Sequence, residues 1–171
     1  ITNTTPTIEF QVKDTDSGVN AGTIAVTVDG TVVSTVTKTA IDGGYKCTCT
    51  SPTLKDGSHT ISVKASDNDG NAAAAKTATF TVDTVPPTLQ ITAPSNGLIT
   101  NKKTVTVSGK TDDVSSKPVT VTVNGATVTV GTDGTFTKDV TLAEGANTIT
   151  IVAKDKAGKT TTVTRKVTVD T

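Results

Sequence analysis

The chain has 171 residues with no Trp or Met, 2% aromatic residues, and sixteen acidic groups that cancel sixteen basic ones. The charges are scattered, so there is no polyelectrolyte footprint for nucleic acid or an anionic membrane, and no apolar run approaches the ~18 residues a spanning helix needs. An interior poor in aromatics has to be built from Val, Ile, Leu and Ala, with Phe10, Tyr45, Phe80 and Phe136 as its largest members.

Ile1 to Thr5 is a polar lead-in, and Pro6 marks the entry to a strand in which Ile8, Phe10 and Val12 alternate inward. Asp14 to Gly18 breaks that run as a loop. Thr23 to Val28 is the next strand, closed by Asp29-Gly30, a hairpin signal because both turn positions favour positive φ. Thr31 to Thr37 is expected to return from it as one strand. Asp42-Gly43-Gly44 turns the chain into Tyr45 to Thr50, and Ser51-Pro52 interrupts. Leu54 to Asp67 then carries an acidic-Gly turn, Asp56-Gly57, followed by an alternating run that sets Ile61, Val63 and Ala65 on one face. Asp67 to Gly70 reverses the chain into a Thr/Val strand that ends at Val82-Asp83-Thr84.

Val85-Pro86-Pro87-Thr88 holds the chain extended and marks a boundary. Beyond it the pattern begins again. Leu89-Gln-Ile91 is an extra opening strand, Pro94 to Gly97 a turn, and Thr104 to Gly109 the counterpart of the Ile8 strand. Asp112-Asp113 to Lys117-Pro118 is a loop, and Val119 to Val123 is a strand closed by Asn124-Gly125. Asp133-Gly134 matches Asp42-Gly43 and places Phe136 at the Tyr45 position. Leu142 to Asp155 repeats Leu54 to Asp67, with Glu144-Gly145 at the acidic-Gly turn, and Val169-Asp170-Thr171 repeats Val82-Asp83-Thr84. Internal repetition at a period a little over 80 residues divides the chain into modules 1–84 and 85–171. Ile1-Thr-Asn3 resembles Ile99-Thr-Asn101, so the first module lacks an opening strand, and both ends read as seams of a longer array.

Cys47 and Cys49 sit two apart in a strand, where their Cα atoms would be about 6.5–7 Å apart, at the limit of an unstrained disulfide. Free, inward-facing thiols are expected, because a C-x-C metal site finds no further Cys and a single His in this chain. That His59 occupies the slot of Asn147 in the other copy, which makes a turn hydrogen bond its expected role. No Ser-His-Asp set, Gly-rich phosphate loop or paired carboxylates in a cleft stand out, so catalysis is not expected.

About seven short strands per module, with turns every 8–12 residues, describe an all-β chain of two tandem immunoglobulin-like β-sandwiches. In such a sandwich the loops after the second and sixth strands share one end. Asp112, Asp113 and Asp155 are thereby expected to face the boundary, where Asp56 and Asp83 also fall, and this oxygen-rich set suits Ca²⁺.

Thr104-Val-Thr-Val-Ser-Gly109, Val121-Thr-Val-Asn-Gly125, Asp133-Gly-Thr-Phe136, Leu142-Ala-Glu-Gly-Ala-Asn-Thr-Ile149 and Ala153-Lys-Asp-Lys-Ala-Gly158 resemble the Ig-like accessory domain similar to the B domain of glucodextranase. Lys159 stands where that family usually has Asn. The first module, with its Asp14 to Gly18-Val19 loop and Val-Asp-Thr before Pro-Pro, is similar to the sister type among bacterial Ig-like repeats of surface and secreted proteins. The resemblance implies a non-catalytic stalk or spacer of a bacterial cell-surface or secreted protein, placed outside the cell and engaged in adhesion. Its partners would be neighbouring Ig-like modules and a host or matrix protein or glycan, with no nucleic acid and no membrane insertion. The alternatives are an accessory module of a secreted carbohydrate-active enzyme and a decoration on a phage virion or tail.

Overall fold

The computed structural model describes every residue, Ile1–Thr171, and every regular element in it is a strand. The chain forms two compact units, Ile1–Thr84 and Val85–Thr171. The first carries β1 (Thr7–Lys13), β2 (Val19–Val28), β3 (Thr31–Val32), β4 (Val36–Ile41), β5 (Gly44–Thr50), β6 (Gly57–Asp67) and β7 (Lys76–Val82). They make two sheets, β1-β5-β4 and β3-β2-β6-β7. Ile8 and Cys49 from one sheet meet Val26, Val28 and Val82 from the other, the inward halves of period-two strands closing on each other. Phe10 and Tyr45 pack at a second cluster around Cys47. Both thiols are free, and burial pushes them further from ionisation.

The second unit carries β8 (Thr88–Ala93), β9 (Leu98–Thr100), β10 (Thr104–Asp112), β11 (Thr120–Val123), β12 (Ala126–Val128), β13 (Thr135–Thr141), β14 (Gly145–Lys154) and β15 (Thr160–Val169). Its sheets are β13-β10-β8 and β12-β11-β14-β15-β9. The core is continuous and aliphatic apart from buried Phe136, with Val107, Val121, Ile149, Ile151 and Ala153 fully enclosed. β9 lies parallel to β15, pairing Leu98 with Val167 and Thr100 with Val169.

The Asp-Gly and Asn-Gly signals act as the turn chemistry requires. Asp29 (φ 50°) and Gly30 (φ 79°) close one hairpin, Asn124 (φ 47°) and Gly125 (φ 81°) the other. The return strand is shorter than expected: β3 ends at Val32, not Thr37. Val33 donates its N–H to Val26 O at 2.9 Å and buries its side chain between the sheets. The chain then crosses over, and Val36 pairs with Cys49 as β4 joins the opposite sheet. Pairing with the open side of β5, more than the Thr/Val composition, sets that break.

The alignment of Ile1 with Ile99 is also off by one. Asp83 N–H donates to Ile1 O at 2.8 Å and Asp170 N–H to Thr100 O at 2.9 Å, so Ile1 takes the place of Thr100. Leu54 N–H to Thr4 O and Leu142 N–H to Lys103 O match on the same offset.

Candidate functional site

The repeated tripeptide at each module's exit is fastened by an acid that precedes it by 27 or 28 residues. Thr84 donates its N–H to Asp56 Oδ2 at 3.1 Å and its hydroxyl to Asp56 Oδ1 at 2.9 Å. Thr171 donates its N–H to Glu144 Oε1 at 2.9 Å and its hydroxyl to Glu144 Oε2 at 2.6 Å. The Thr171 hydroxyl, then its N–H, hold the Glu144 carboxyl below its ordinary value. One residue back, the Asp83 and Asp170 N–H groups bond Ile1 O and Thr100 O as described, and before that Val82 and Val169 are fully buried. Val-Asp-Thr is thus anchor, ladder bond and capped exit in three consecutive residues. Asp56, one of the residues the sequence offers as a metal ligand, has both carboxylate oxygens on Thr84.

The other expected ligands divide. Asp112 Oδ1 is exposed and 2.9 Å from Lys117 Nζ, and the same oxygen accepts Asp113 N–H at 3.0 Å. Lys117 is the main reason the Asp112 carboxyl stays below its ordinary range. Asp83 is buried at the end of the first module. Asp113 and Asp155, both buried in the second, come together with carboxylate oxygens within 4.8 Å. Asp113 Oδ1 accepts N–H groups from Ser115 at 2.8 Å and Ser116 at 2.7 Å, and Asp155 Oδ1 accepts Lys159 N–H at 2.8 Å. Asp155 Oδ2 is buried without a hydrogen-bond partner.

The repeat explains that orphan. Asp67 occupies the same turn in the first module, and there Asn71 supplies both its N–H to Oδ1 at 2.7 Å and its amide to Oδ2 at 2.8 Å. Lys159 replaces Asn71 and brings no such amide. Two close carboxylates, one with an unsatisfied oxygen, form an electronegative point that favours a cation.

His59 does what its slot implies, and more. Its Nε2 lies 2.8 Å from Lys55 O, as Asn147 Nδ2 lies 2.8 Å from Ala143 O. Its Nδ1 is also 2.6 Å from Asp29 Oδ2, a contact Asn147 lacks. Register is the cause: Val28 faces Ile61, whereas Val123 faces Ile151, two residues further along the repeat. The first hairpin therefore reaches back to His59, while Asn124 caps Thr150 instead. A carbonyl and a carboxylate at the two ring nitrogens call for two N–H donors, so the Asp29 bond raises the His59 pKa, with the Lys55 carbonyl adding to it. With both nitrogens engaged, no base is left for a nucleophile.

Residues 1–84 match the family described as bacterial Ig-like domain, and residues 87–171 match glucodextranase, domain B. The first module is a bacterial Ig-like domain, and the second is of the glucodextranase domain B type. A curated relative, Bacillopeptidase F of Bacillus subtilis (strain 168), is 36% identical over 126 residues, which is 74% of this chain. The chain spans only 8% of that protein's length. Among solved structures, the fibronectin(III)-like modules of Clostridium thermocellum CbhA align over 96% of this chain and 85% of theirs, at 18% identity and TM-score 0.53. A three-Ig structure of titin domains aligns over 98% of this chain and 60% of its own, at 13% identity and TM-score 0.56. These likenesses establish the Ig-like β-sandwich fold.

Proposed function

We propose that the two Ig-like modules are a non-catalytic, load-bearing spacer of an extracellular bacterial protein. The observation that carries this reading is the pairing of β9, which follows the domain B-type module's opening strand β8, with the exit strand β15. β9 and β15 run side by side and parallel, so once β8 has peeled from β10, tension between the module's ends pulls them in opposite directions along one axis. Their bonds then load together in shear rather than opening one at a time. The exit clamp adds to this, because Glu144 holds Thr171 at the point where the load enters. In the bacterial Ig-like module the same junction is made by Ile1, whose N–H donates to Thr81 O at 2.9 Å and whose carbonyl accepts from Asp83, with Asp56 holding Thr84.

Single-molecule extension of the chain tests the reading. Two separate unfolding events are expected, each releasing about 28–31 nm of chain at ~3.3–3.6 Å per residue, with the domain B-type module resisting more force than a variant whose β9 bonds are broken. Gradual extension without discrete events would overturn the load-bearing role. Turnover of a peptide or polysaccharide by the purified chain would overturn the non-catalytic one. A second reading, an accessory region within an extracellular hydrolase, is supported by the match to a protein named as a peptidase and by the domain B type. Pull-down on insoluble polysaccharide and on protein substrates distinguishes it from a plain spacer.

A further inference from the structure

Only one of the sixteen basic residues is an arginine, and it stands on the inward face of β15, in line with buried Val167. Arg165 is half-buried, and the salt bridges of the chain are made by other residues. Backbone carbonyls meet its charge instead. Its Nε donates to Pro94 O at 3.1 Å, its Nη2 to Ile91 O at 3.2 Å and its Nη1 to Thr164 O at 3.2 Å. Ile91 belongs to β8 and Pro94 follows the end of that strand, so the guanidinium joins β8 in the three-stranded sheet to β15 in the five-stranded one. A second tie lies at the start of β8, where the Thr161 hydroxyl donates to Pro87 O at 2.5 Å. At these two places the repeat gives the first module Ala74 and Ala78, whose side chains have no donor. The hold of β8 on its own sheet is interrupted. It rests on β10 where Gly109 leaves room for Gln90 O and Ile91, and the ladder shifts register between Ser108 and Gly109.

We infer that Arg165 is a tension latch: it fastens the far end of β8 across the sandwich to β15 and sets how fast the domain B-type module yields to a pull on its ends. The inference rests on the spacer reading above and names the residue that controls it. As the ends are drawn apart, the single hydroxyl bond of Thr161 and the interrupted β8–β10 ladder give way from Thr88 onward. Detachment then stops at Ile91 and Pro94, because the guanidinium holds both carbonyls through two nitrogens of one rigid plane. The two bonds have to break together before the chain can move on. Beyond the latch, the Lys166 backbone holds Asn96 and Gly97, and Val167 pairs with Leu98. The β9–β15 pairing is therefore loaded only after Arg165 lets go. Arg165→Lys keeps the charge but puts one flexible nitrogen in place of the planar pair.

Force-clamp extension of the full 171-residue chain by its two ends compares the parent with Arg165→Met, which keeps the apolar stem and loses every donor. The second-module unfolding rate is expected to rise at least about tenfold at a given force, since one bond to a charged group supplies that factor. The first-module rate should stay as it was, and Arg165→Lys should fall between parent and Arg165→Met. The control applies the load between Thr104→Cys and Thr148→Cys, both exposed, a path that enters through β10 and β14, which Arg165 does not touch. Cys47 and Cys49 are buried and leave the attachment to the new thiols. Along this path Arg165→Met is expected to unfold within about twofold of the parent. Equal acceleration along both paths would make Arg165 a general packing residue and overturn the latch. An unchanged end-to-end rate, or full retention by Arg165→Lys, would overturn it too. In each of those cases discrete unfolding of the parent leaves the spacer reading standing, whereas gradual extension of the parent overturns both.

Discussion

Gly109→Ala tests the account of why β8 can lie on β10. A Cβ at Gly109 would stand 2.4 Å from Gln90 O, 2.8 Å from Phe136 Cζ and 3.2 Å from Ile91 Cδ1. The first of these is backbone of the paired strand, at the register shift between Ser108 and Gly109, so it cannot swing aside as a side chain would. Two routes remain. If β8 lifts, Leu89 and Ile91, partly buried against the core, lose about 1 kcal/mol each, roughly half of what full burial gives. If β8 stays, the overpacking costs about 1–3 kcal/mol. Either route lands near 2 kcal/mol, or about 8–16 °C in the melting temperature of a domain this size. Calorimetry gives the shift, and residue-resolved hydrogen exchange gives its place. Protection is expected to fall at the β8–β10 pairs while the β1–β5 pairs keep theirs. A variant that melts within about 2 °C of the parent with β8 still protected would refute the steric argument.

Three further outcomes are expected. The His59–Asp29 pair makes the first module's stability depend on pH. His59 has a raised pKa, so its contribution is complete below its ordinary 6.5 and lost as pH rises through the raised value; Asp29 is held below its ordinary 3.8 chiefly by His59, so its contribution is lost as pH falls through the lowered value. Melting temperature should peak between those two ordinary values, and His59→Asn, which keeps the Lys55 contact, should flatten its upper limb. Asp56→Ala removes the acceptor for two donors of Thr84; it should lower stability by about 1–2 kcal/mol and speed exchange at Thr84, while Asp56→Glu, the acid used at Glu144, should recover most of both. At Asp113 and Asp155, calcium added after EDTA treatment is expected to raise the melting temperature, and Asp155→Asn to abolish that response. An unchanged melting temperature with calcium and with EDTA would remove the cation reading.

The comparison of the two modules separates what is local from what is not. Asp29-Gly30 and Asn124-Gly125 turn the chain because two consecutive positive φ angles suit those residues wherever they stand. The alternation around Ile61 and Ile149 likewise marks buried strands without reference to any partner. Both are properties of a few adjacent residues. The exit clamps are different in kind. Asp56-Gly57 and Val82-Asp83-Thr84 are each visible as repeats of Glu144-Gly145 and Val169-Asp170-Thr171, but the bond between them spans about a third of a module. Their joint repetition is the signal the sequence carries, and a carboxylate at such a position serves a backbone clamp as readily as a metal.

The amino-acid sequence by itself determined the period, the strand alternation, the turns and the aliphatic character of the interior, because each depends on residue type within a few positions. Only the tertiary structure decided the registers. Two residues' difference between the Val28–Ile61 and Val123–Ile151 pairings gives one hairpin a histidine–aspartate pair and leaves the other an asparagine cap. One residue's difference puts Ile1 where Thr100 stands. Strand register is settled by which side chains fill the space between two sheets at once, and no single strand carries that information.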